Sequence, residues 1–230
     1  METALFLFTL GKRITFYLCG MQKTAIIFGA SGLTGSLVLE KLLEDSRYAS
    51  IKLFSRTALG ISHLKVKEYV GDLLDLDKFK DEMTGDEVYI CIGTTKKKTP
   101  DHAEYRKIDL GIPAQVSEIC KLNGVSKLAV VSAIGANVKS SIPYNKIKGE
   151  MEAVVMKANI KPTYILRPSF ISGNRKEHRA GEKMGIAVFK CLKYAIPKKY
   201  RAVEAKNIAS KMIELCNSGE PSKILESNEI

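Results

Sequence analysis

The sequence predicts an α/β protein built on a single doubly wound parallel sheet. Short apolar segments typical of buried strands alternate along the chain with longer segments whose apolar residues recur at helical spacing. A glycine-rich loop separates the first such strand, 25–28, from the first helical segment, 36–43. This alternation requires crossover connections and therefore parallel strands. With 230 residues, 45% hydrophobic and 27% charged, the chain is long enough to bury one full core.

The remaining elements follow in order. Further strands are predicted at 51–55, 66–70, 87–92, 127–132 and 162–167, and further helices at about 102–122, 144–158, 182–194 and 204–217. The connection 58–65 is too short for a full helix, so we expect a loop there. Because no repeat or linker interrupts the pattern, residues 21–230 are predicted to form one domain that includes a small C-terminal substrate region at 169–200.

Residues 1–20 are interpreted as an N-terminal extension of this domain. Their two apolar pieces are interrupted by Lys12 and Arg13, and neither piece is long enough to span a bilayer. The basic residues follow the apolar core, whereas a secretory signal carries them before it. We expect an upstream extension, with an artefact of the assigned start site and a weak membrane anchor as the alternatives.

The glycine loop is predicted to hold the phosphates of a dinucleotide. Gly29 permits a tight turn, Gly32 lets the backbone approach a pyrophosphate, and Gly35 lets the helix pack closely on the strand. The N–H groups of the following helix terminus attract the anion. The alternative is a plain strand-to-helix turn. The other candidate cofactor contacts in this loop are Ser31, Leu33 and Thr34.

The end of the second strand indicates which dinucleotide is preferred. An NAD-binding fold places an acid about twenty residues after the glycines, on the ribose hydroxyls. This chain has Ser55 and Arg56 there instead. A guanidinium can donate two charge-assisted hydrogen bonds to a 2′-phosphate. We therefore predict that NADP(H) is preferred over NAD(H), the alternative being that Arg56 is an ordinary surface arginine.

Polar and small residues follow the next strands, where ligands of open α/β sheets lie. Asp72 is predicted to accept from an adenine amino group and Leu73 to cover the ring, while Gly93 allows close approach to a ribose. The alternative for each position is a turn or a helix cap. The remaining candidates at these strand ends are Thr94, Thr95 and Ser132.

The candidate chemistry lies twelve residues after Ser132. Tyr144 and Lys148 are one helical turn apart and share a face. An ammonium beside a phenol lowers the phenol pKa toward neutrality, so Tyr144 is predicted to transfer the proton during a hydride transfer. Lys148 can also hold the nicotinamide ribose, and a serine hydroxyl can orient a substrate carbonyl.

Together these motifs resemble the short-chain dehydrogenase/reductase superfamily, and specifically its atypical branch related to the Tat-interacting oxidoreductase proteins. The resemblance covers 21–230 and includes the glycine loop, the residues 93–95, Tyr144-x-x-x-Lys148-Gly149-Glu150 and Leu166-Arg167-Pro168-Ser169, with a charged loop at 175–182. It implies a Rossmann-like fold, a catalytic triad of Ser132, Tyr144 and Lys148, and cofactor contacts from Arg167 and Pro168. It leaves the substrate open.

One position departs from the superfamily. The helix after the fourth strand often supplies an asparagine, and this chain has Asp109 in the corresponding run. An ionised aspartate cannot donate as an amide does, so a structural role or a water-holding role in a modified proton relay is expected. No metal site is predicted, since the three histidines lack partners at ligand spacing.

Composition limits the partners. The net charge of +11 is spread over the whole chain, so nucleic-acid binding is not expected. Five widely spaced cysteines fit a reduced, cytoplasmic protein, either monomeric or homodimeric and without a transmembrane segment. Two functions are compatible with the motifs. One is an NADPH-dependent reductase of an unidentified carbonyl compound, and the alternative is a non-catalytic NADPH-sensing protein with a protein partner.

Overall fold

The computed structural model describes residues 22–173 and 197–230. Its central feature is a seven-stranded sheet with strand order β3-β2-β1-β4-β5-β6-β9. All six strand pairs are parallel. The strands of this sheet are β1 (Lys23–Phe28), β2 (Tyr48–Ser55), β3 (Val66–Val70), β4 (Glu87–Ile90), β5 (Lys127–Val131), β6 (Thr163–Arg167) and β9 (Lys223–Glu226). The order reverses between β1 and β4, which creates the crevice where a doubly wound fold binds its ligand.

Five helices and a second small sheet complete the described part of the chain. The helices are α1 (Leu33–Glu44), α2 (His102–Arg106), α3 (Ile112–Leu122), α4 (Pro143–Lys157) and α5 (Ala205–Ser218). A π-helical segment, Lys107–Gly111, joins α2 to α3. Strands β7 (Ile171–Ser172) and β8 (Val203–Glu204) pair separately from the main sheet. No described helix is long and apolar enough to cross a membrane.

The helices cover both faces of the sheet because successive strand residues point to opposite sides. In β1, Ala25 and Ile27 pack toward α1 and α5, whereas Ile26 and Phe28 pack toward α3 and α4. All four side chains are completely buried. Strands that are apolar on both sides are typical of parallel sheets covered on both faces.

The predicted architecture is confirmed: the fold is a doubly wound parallel sheet in one domain. The connection 58–65 is a loop, as expected, and the long predicted helix at 102–122 is present but contains the π-helical segment. The sequence reasoning missed β7, β8 and β9. The predicted extension at 1–20, the predicted helix at 182–194 and the charged loop at 175–182 lie outside the described residues.

Candidate functional site

The glycine loop has a backbone that only glycine can adopt. Gly29 has φ of +89°, and a Cβ there would lie 2.7 Å from the Cys91 carbonyl oxygen. A Cβ on Gly35 would lie 2.1 Å from the Gly29 carbonyl oxygen. The loop therefore brings β1, α1 and the end of β4 closer together than any larger residue allows.

The N-terminus of α1 is open to an anion. Gly32 precedes the helix, no side chain caps it, and the first turn contains no acidic residue. Ser31 and Gly32 are both exposed. Uncapped N–H groups carry the positive end of the helix dipole, so this turn fits the pyrophosphate of a dinucleotide.

Two predicted adenosine contacts, Ser55 and Arg56, lie at the carboxyl end of β2. Arg56 is exposed and makes no ion pair or hydrogen bond with another described residue. Its guanidinium is available for a 2′-phosphate. Ser55 is 7% exposed, and its hydroxyl donates to the Thr57 carbonyl at 2.8 Å. Ser55 therefore shapes the turn that presents Arg56.

The residues after β3 form a turn, which is the alternative given above for Asp72. The Asp72 carboxylate accepts from the Leu74 N–H at 2.9 Å, closing a turn two residues long. Leu73 is 5% exposed and packs in the core, so its side chain does not present a face to solvent for an adenine ring. The neighbouring Leu74 is the exposed leucine of this turn.

The loop after β4 is tied to the helix that follows it. The Thr94 N–H donates to Asp109 Oδ2 at 2.9 Å, and the Thr94 and Thr99 hydroxyls are 2.9 Å apart. The Thr95 carbonyl accepts from the N–H groups of Lys98 and Thr99. Gly93 is exposed, and nothing lies closer than 3.5 Å to where its Cβ would be, so its backbone remains accessible.

Tyr144 and Lys148 lie on one face of α4, which begins at Pro143. Pro143 favours helix initiation because its fixed φ suits the first turn and its missing N–H is not needed there. The Lys148 side chain is 5% exposed and its Nζ pairs with Asp109 Oδ1 at 2.9 Å. Tyr144 remains 42% exposed, and its ring meets that of Tyr105 edge to face at 6.5 Å between centroids.

The electrostatics of Tyr144 differ from the prediction. Burial raises its pKa, Lys148 lowers it, Asp109 raises it, and the net direction is upward. The predicted fall of this pKa toward neutrality is therefore not seen, chiefly because desolvation of the phenol outweighs the effect of Lys148. Asp109 pairs with Lys148, and its own effect on the Tyr144 pKa opposes that of the lysine.

Ser132 is buried at the end of β5, and its hydroxyl donates to Glu152 Oε1 at 2.5 Å. A serine has only one hydroxyl proton, so a substrate carbonyl can receive it only if the bond to Glu152 breaks. In this arrangement the Ser132 oxygen offers lone pairs to a ligand.

Arg167 has a structural role that corrects its predicted place among the cofactor contacts. Its Nε and Nη2 donate to Glu152 at 2.9 and 2.6 Å, and its Nη1 donates to Glu226 at 3.0 Å. The Glu152 hydrogen bonds outweigh burial and raise the pKa of Arg167. These three bonds to two carboxylates make Arg167 part of a structural network at the ends of β6 and β9. Pro168 is buried beside it.

Sequence reasoning gave no role to Glu152 and no definite one to Asp109. Glu152 is four residues after Lys148 and eight after Tyr144, so the helical period alone places all three on one face. Asp109 is 1% exposed and holds two partners from different elements. Its position in the superfamily pattern was the available signal, but only the structure shows what it binds.

Comparison with known proteins identifies the family. An NAD(P)H-binding family matches residues 29–214. The chain belongs to this NAD(P)H-binding family. Among its relatives, Protein FMP52, mitochondrial, from Candida albicans is 33% identical over 67% of this chain and 69% of its own length. Protein HTATIP2 from Rattus norvegicus is 29% identical over 76% of each chain. These matches place the chain among the atypical short-chain dehydrogenase/reductases.

Solved structures share the fold. Bordetella bronchiseptica WbmG, in complex with NAD, superposes with a TM-score of 0.70 at 17% identity, covering 91% of this chain and 74% of that protein. UDP-glucose 4-epimerase from Thermotoga maritima superposes with a TM-score of 0.66 at 16% identity, covering 90% and 79%. At identities of 16% and 17%, the similarity of this chain to the two proteins is limited to the fold.

The relatives also correct one prediction. The FMP52 proteins of Eremothecium gossypii, Candida glabrata and Candida albicans are named as mitochondrial. The cytoplasmic location expected from the cysteine pattern is therefore wrong. Reduced thiols indicate a reducing environment, and that property does not separate one intracellular compartment from another.

Proposed function

We propose that the protein reduces a carbonyl compound with NADPH, with Tyr144 as proton donor. The observation that carries this proposal is the face of α4 that presents a half-exposed phenol one turn before a buried, ion-paired lysine. A phenol that is protonated at neutral pH carries the proton that a general acid must donate. The glycine loop and the open N-terminus of α1 supply the dinucleotide cradle.

The residues would divide the work as follows. The first turn of α1 holds the pyrophosphate and Arg56 holds the 2′-phosphate that distinguishes NADP(H). The backbone at Gly93 admits the ribose next to the nicotinamide. A bound reduced nicotinamide supplies the hydride. Tyr144 supplies the proton to the carbonyl oxygen. Lys148 binds the ribose hydroxyls and helps to orient the phenol.

The test is NADPH oxidation against a panel of aldehydes, ketones and quinones. We expect Tyr144→Phe to reduce turnover by on the order of a hundredfold or more, the usual scale of general acid catalysis, with NADPH affinity nearly unchanged. Tyr69→Phe removes a phenol oxygen on the edge strand β3 and should leave turnover unaltered. Equal turnover by wild type and Tyr144→Phe would refute the assignment.

A non-catalytic NADPH-binding protein remains the second candidate. It is favoured by one observation, the Ser132 hydroxyl proton that is already donated to Glu152. A sensor would bind NADPH with an affinity that survives Tyr144→Phe, but the wild type would oxidise no NADPH with any carbonyl in the panel. Such a result at saturating cofactor would favour the sensor over the reductase. The ligand recognised beside NADPH would then be a protein partner and not a carbonyl substrate.

We infer a mitochondrial location from the names of the fungal relatives. A fluorescent protein fused after Ile230 should co-localise with a mitochondrial marker in living cells. A second fusion that begins at Met21 tests whether 1–20 direct the protein there. Diffuse cytosolic fluorescence from the full chain would contradict the inference.

A further inference from the structure

The buried ion pair between Lys148 and Asp109 joins three parts of the molecule. Lys148 comes from α4, Asp109 from the π-helical segment, and the second carboxylate oxygen of Asp109 accepts from the Thr94 N–H at 2.9 Å. The two side chains are only 5% and 1% exposed. Water therefore screens this pair very little, and each charge acts strongly on its neighbours.

The pair lies directly under the accessible backbone of the loop after β4. A Cβ on Gly93 would be 3.5 Å from Asp109 Oδ1 and 4.0 Å from Lys148 Nζ. Because the Thr94 N–H and the ammonium bind different oxygens of one carboxylate, Asp109 fixes the loop relative to the lysine. A ligand that approaches Gly93 meets a lysine whose position is already set.

Both members of this pair act on the pKa of the Tyr144 phenol, in addition to the larger effect of its burial. The titratable groups that act on the phenol are Lys148 on its own helix, together with Asp109 and Tyr105 on the facing segment. Tyr105 is neutral at physiological pH, since burial raises its pKa further. The two remaining charges are opposite and adjacent, so their effects on the phenol oppose each other.

We propose that Asp109 is a positioning residue that holds the Lys148 ammonium under Gly93, so that Tyr144 faces a neutral ion pair rather than a lone cation. This inference rests on the proposed function. The superfamily often has an asparagine at this position, and an ionised aspartate carries a negative charge that the amide lacks. Carbonyl reduction adds a hydride to carbon and a proton to oxygen while the nicotinamide is oxidised. A protonated Tyr144 is the form that this direction requires.

The decisive measurement is the ionisation of Tyr144, followed by ultraviolet absorbance of tyrosinate during a pH titration of the intact protein. Subtracting the titration of Tyr144→Phe isolates this residue from the other tyrosines. In Asp109→Asn, Lys148 loses its carboxylate partner, and the midpoint of Tyr144 should fall by about one pH unit or more. The pH at which NADPH oxidation declines should fall with it.

Glu104→Gln is the matched control, because it removes an exposed carboxylate from the neighbouring helix α2. Its Tyr144 midpoint should equal that of the wild type. A folded Asp109→Asn protein with an unchanged midpoint would overturn the inference. Thermal unfolding of both variants shows whether a change in titration merely accompanies loss of structure.

A second variant keeps the inference testable if the lone buried lysine of Asp109→Asn prevents folding. Asp109→Asn/Lys148→Met leaves neither charge buried and should be tolerated. If the pair acts as a neutral unit, the Tyr144 midpoint in this double variant stays close to that of the wild type. If Lys148 acts as an uncompensated cation, the double variant should titrate at clearly higher pH, and the inference fails.

The titration requires no substrate, so the two proposals can fail separately. A carbonyl panel without NADPH oxidation defeats the proposed function while the tyrosine midpoints remain as expected. If the Tyr144 midpoint is the same in the wild type and in Asp109→Asn, this inference is wrong even if the protein is an active reductase.

Discussion

Polar groups are arranged differently at the two ends of the strands in the main sheet. We call the side where the parallel strands begin the amino edge and the side where they end the carboxyl edge. At the amino edge, Glu87 is completely buried and fully partnered. It accepts hydrogen bonds from the Tyr48 and Tyr89 hydroxyls at 2.6 and 2.7 Å and from Lys23 at 2.7 Å. Asn217 of α5 donates to the Tyr48 hydroxyl at 2.8 Å, which links the helix to the strands. Burial, followed by the hydrogen bond to Glu87, raises the pKa of Tyr48.

At the carboxyl edge, Ser132, Glu152 and Arg167 form a satisfied network, but other groups nearby are left open to a ligand. Arg56 has no described partner, the N-terminus of α1 is uncapped, and the glycine loop tolerates no side chain at Gly29 or Gly35. Even the buried Lys148–Asp109 pair lies below an accessible glycine.

The contrast shows how one sheet separates stability from binding. A buried network contributes to stability when every member is satisfied, whereas a ligand site needs groups that are left for the ligand. Substitutions in the network at the amino edge should therefore change only the free energy of unfolding. Substitutions of the open groups at the carboxyl edge should change the affinity for the cofactor.

The largest effect on stability is expected for Glu87→Ala. Two buried hydroxyls and the Lys23 ammonium lose their acceptor, which should lower the free energy of unfolding by about 3 kcal/mol. NADPH affinity of the folded protein should not change. Urea denaturation and calorimetry measure the two quantities. The control Glu40→Ala, on the exposed face of α1, should change stability by less than about 0.5 kcal/mol. A loss of affinity in Glu87→Ala would break the proposed separation of the edges.

An intermediate effect is expected for Gly35→Ala. The added Cβ would clash with the Gly29 carbonyl oxygen, so α1 must move away from the loop. We expect a cost of about 1 to 3 kcal/mol from overpacking and at least a tenfold loss of NADPH affinity, about 1.4 kcal/mol. Gly111→Ala is the matched control because nothing lies within 4 Å of its Cβ position. Equal affinities of these two variants would contradict the role of the loop.

The finest test compares two arginines that flank β2. Arg56 follows the strand at the carboxyl edge, and Arg47 precedes it at the amino edge, where it pairs with Asp45 at 2.5 Å. Arg56→Ala should weaken NADPH binding by about 1 to 3 kcal/mol and leave NADH binding unchanged. Arg47→Ala should affect neither cofactor. If the wild type binds NADPH and NADH equally, the predicted preference is wrong.

The sequence predicted what depends on local pattern. The strands, the helix-bearing crossovers, the glycine loop and the Tyr144 to Lys148 spacing follow from residues close together along the chain. The edge strand β9 could not be predicted in the same way, since it pairs with β6 across nearly 60 residues and Leu225 is its only buried residue.

The sequence also did not predict which side chains the site residues bind. Arg167 ends a strand on the side of the sheet where cofactor contacts are expected, yet its guanidinium binds Glu152 and Glu226, which are 15 and 59 residues away along the chain. Ser132 likewise gives its proton to a carboxylate on another element. Such pairings depend on how helices dock on the sheet, and neither periodicity nor motif spacing carries that information.

The π-helical turn at Lys107–Gly111 sets the position of Asp109 relative to the two halves of the helix. A π turn holds one residue more than an α turn and has poorer hydrogen-bond geometry. Deleting one residue would let a regular helix run from α2 into α3, but it would rotate the two halves by about 100° relative to each other and separate Asp109 from its partners.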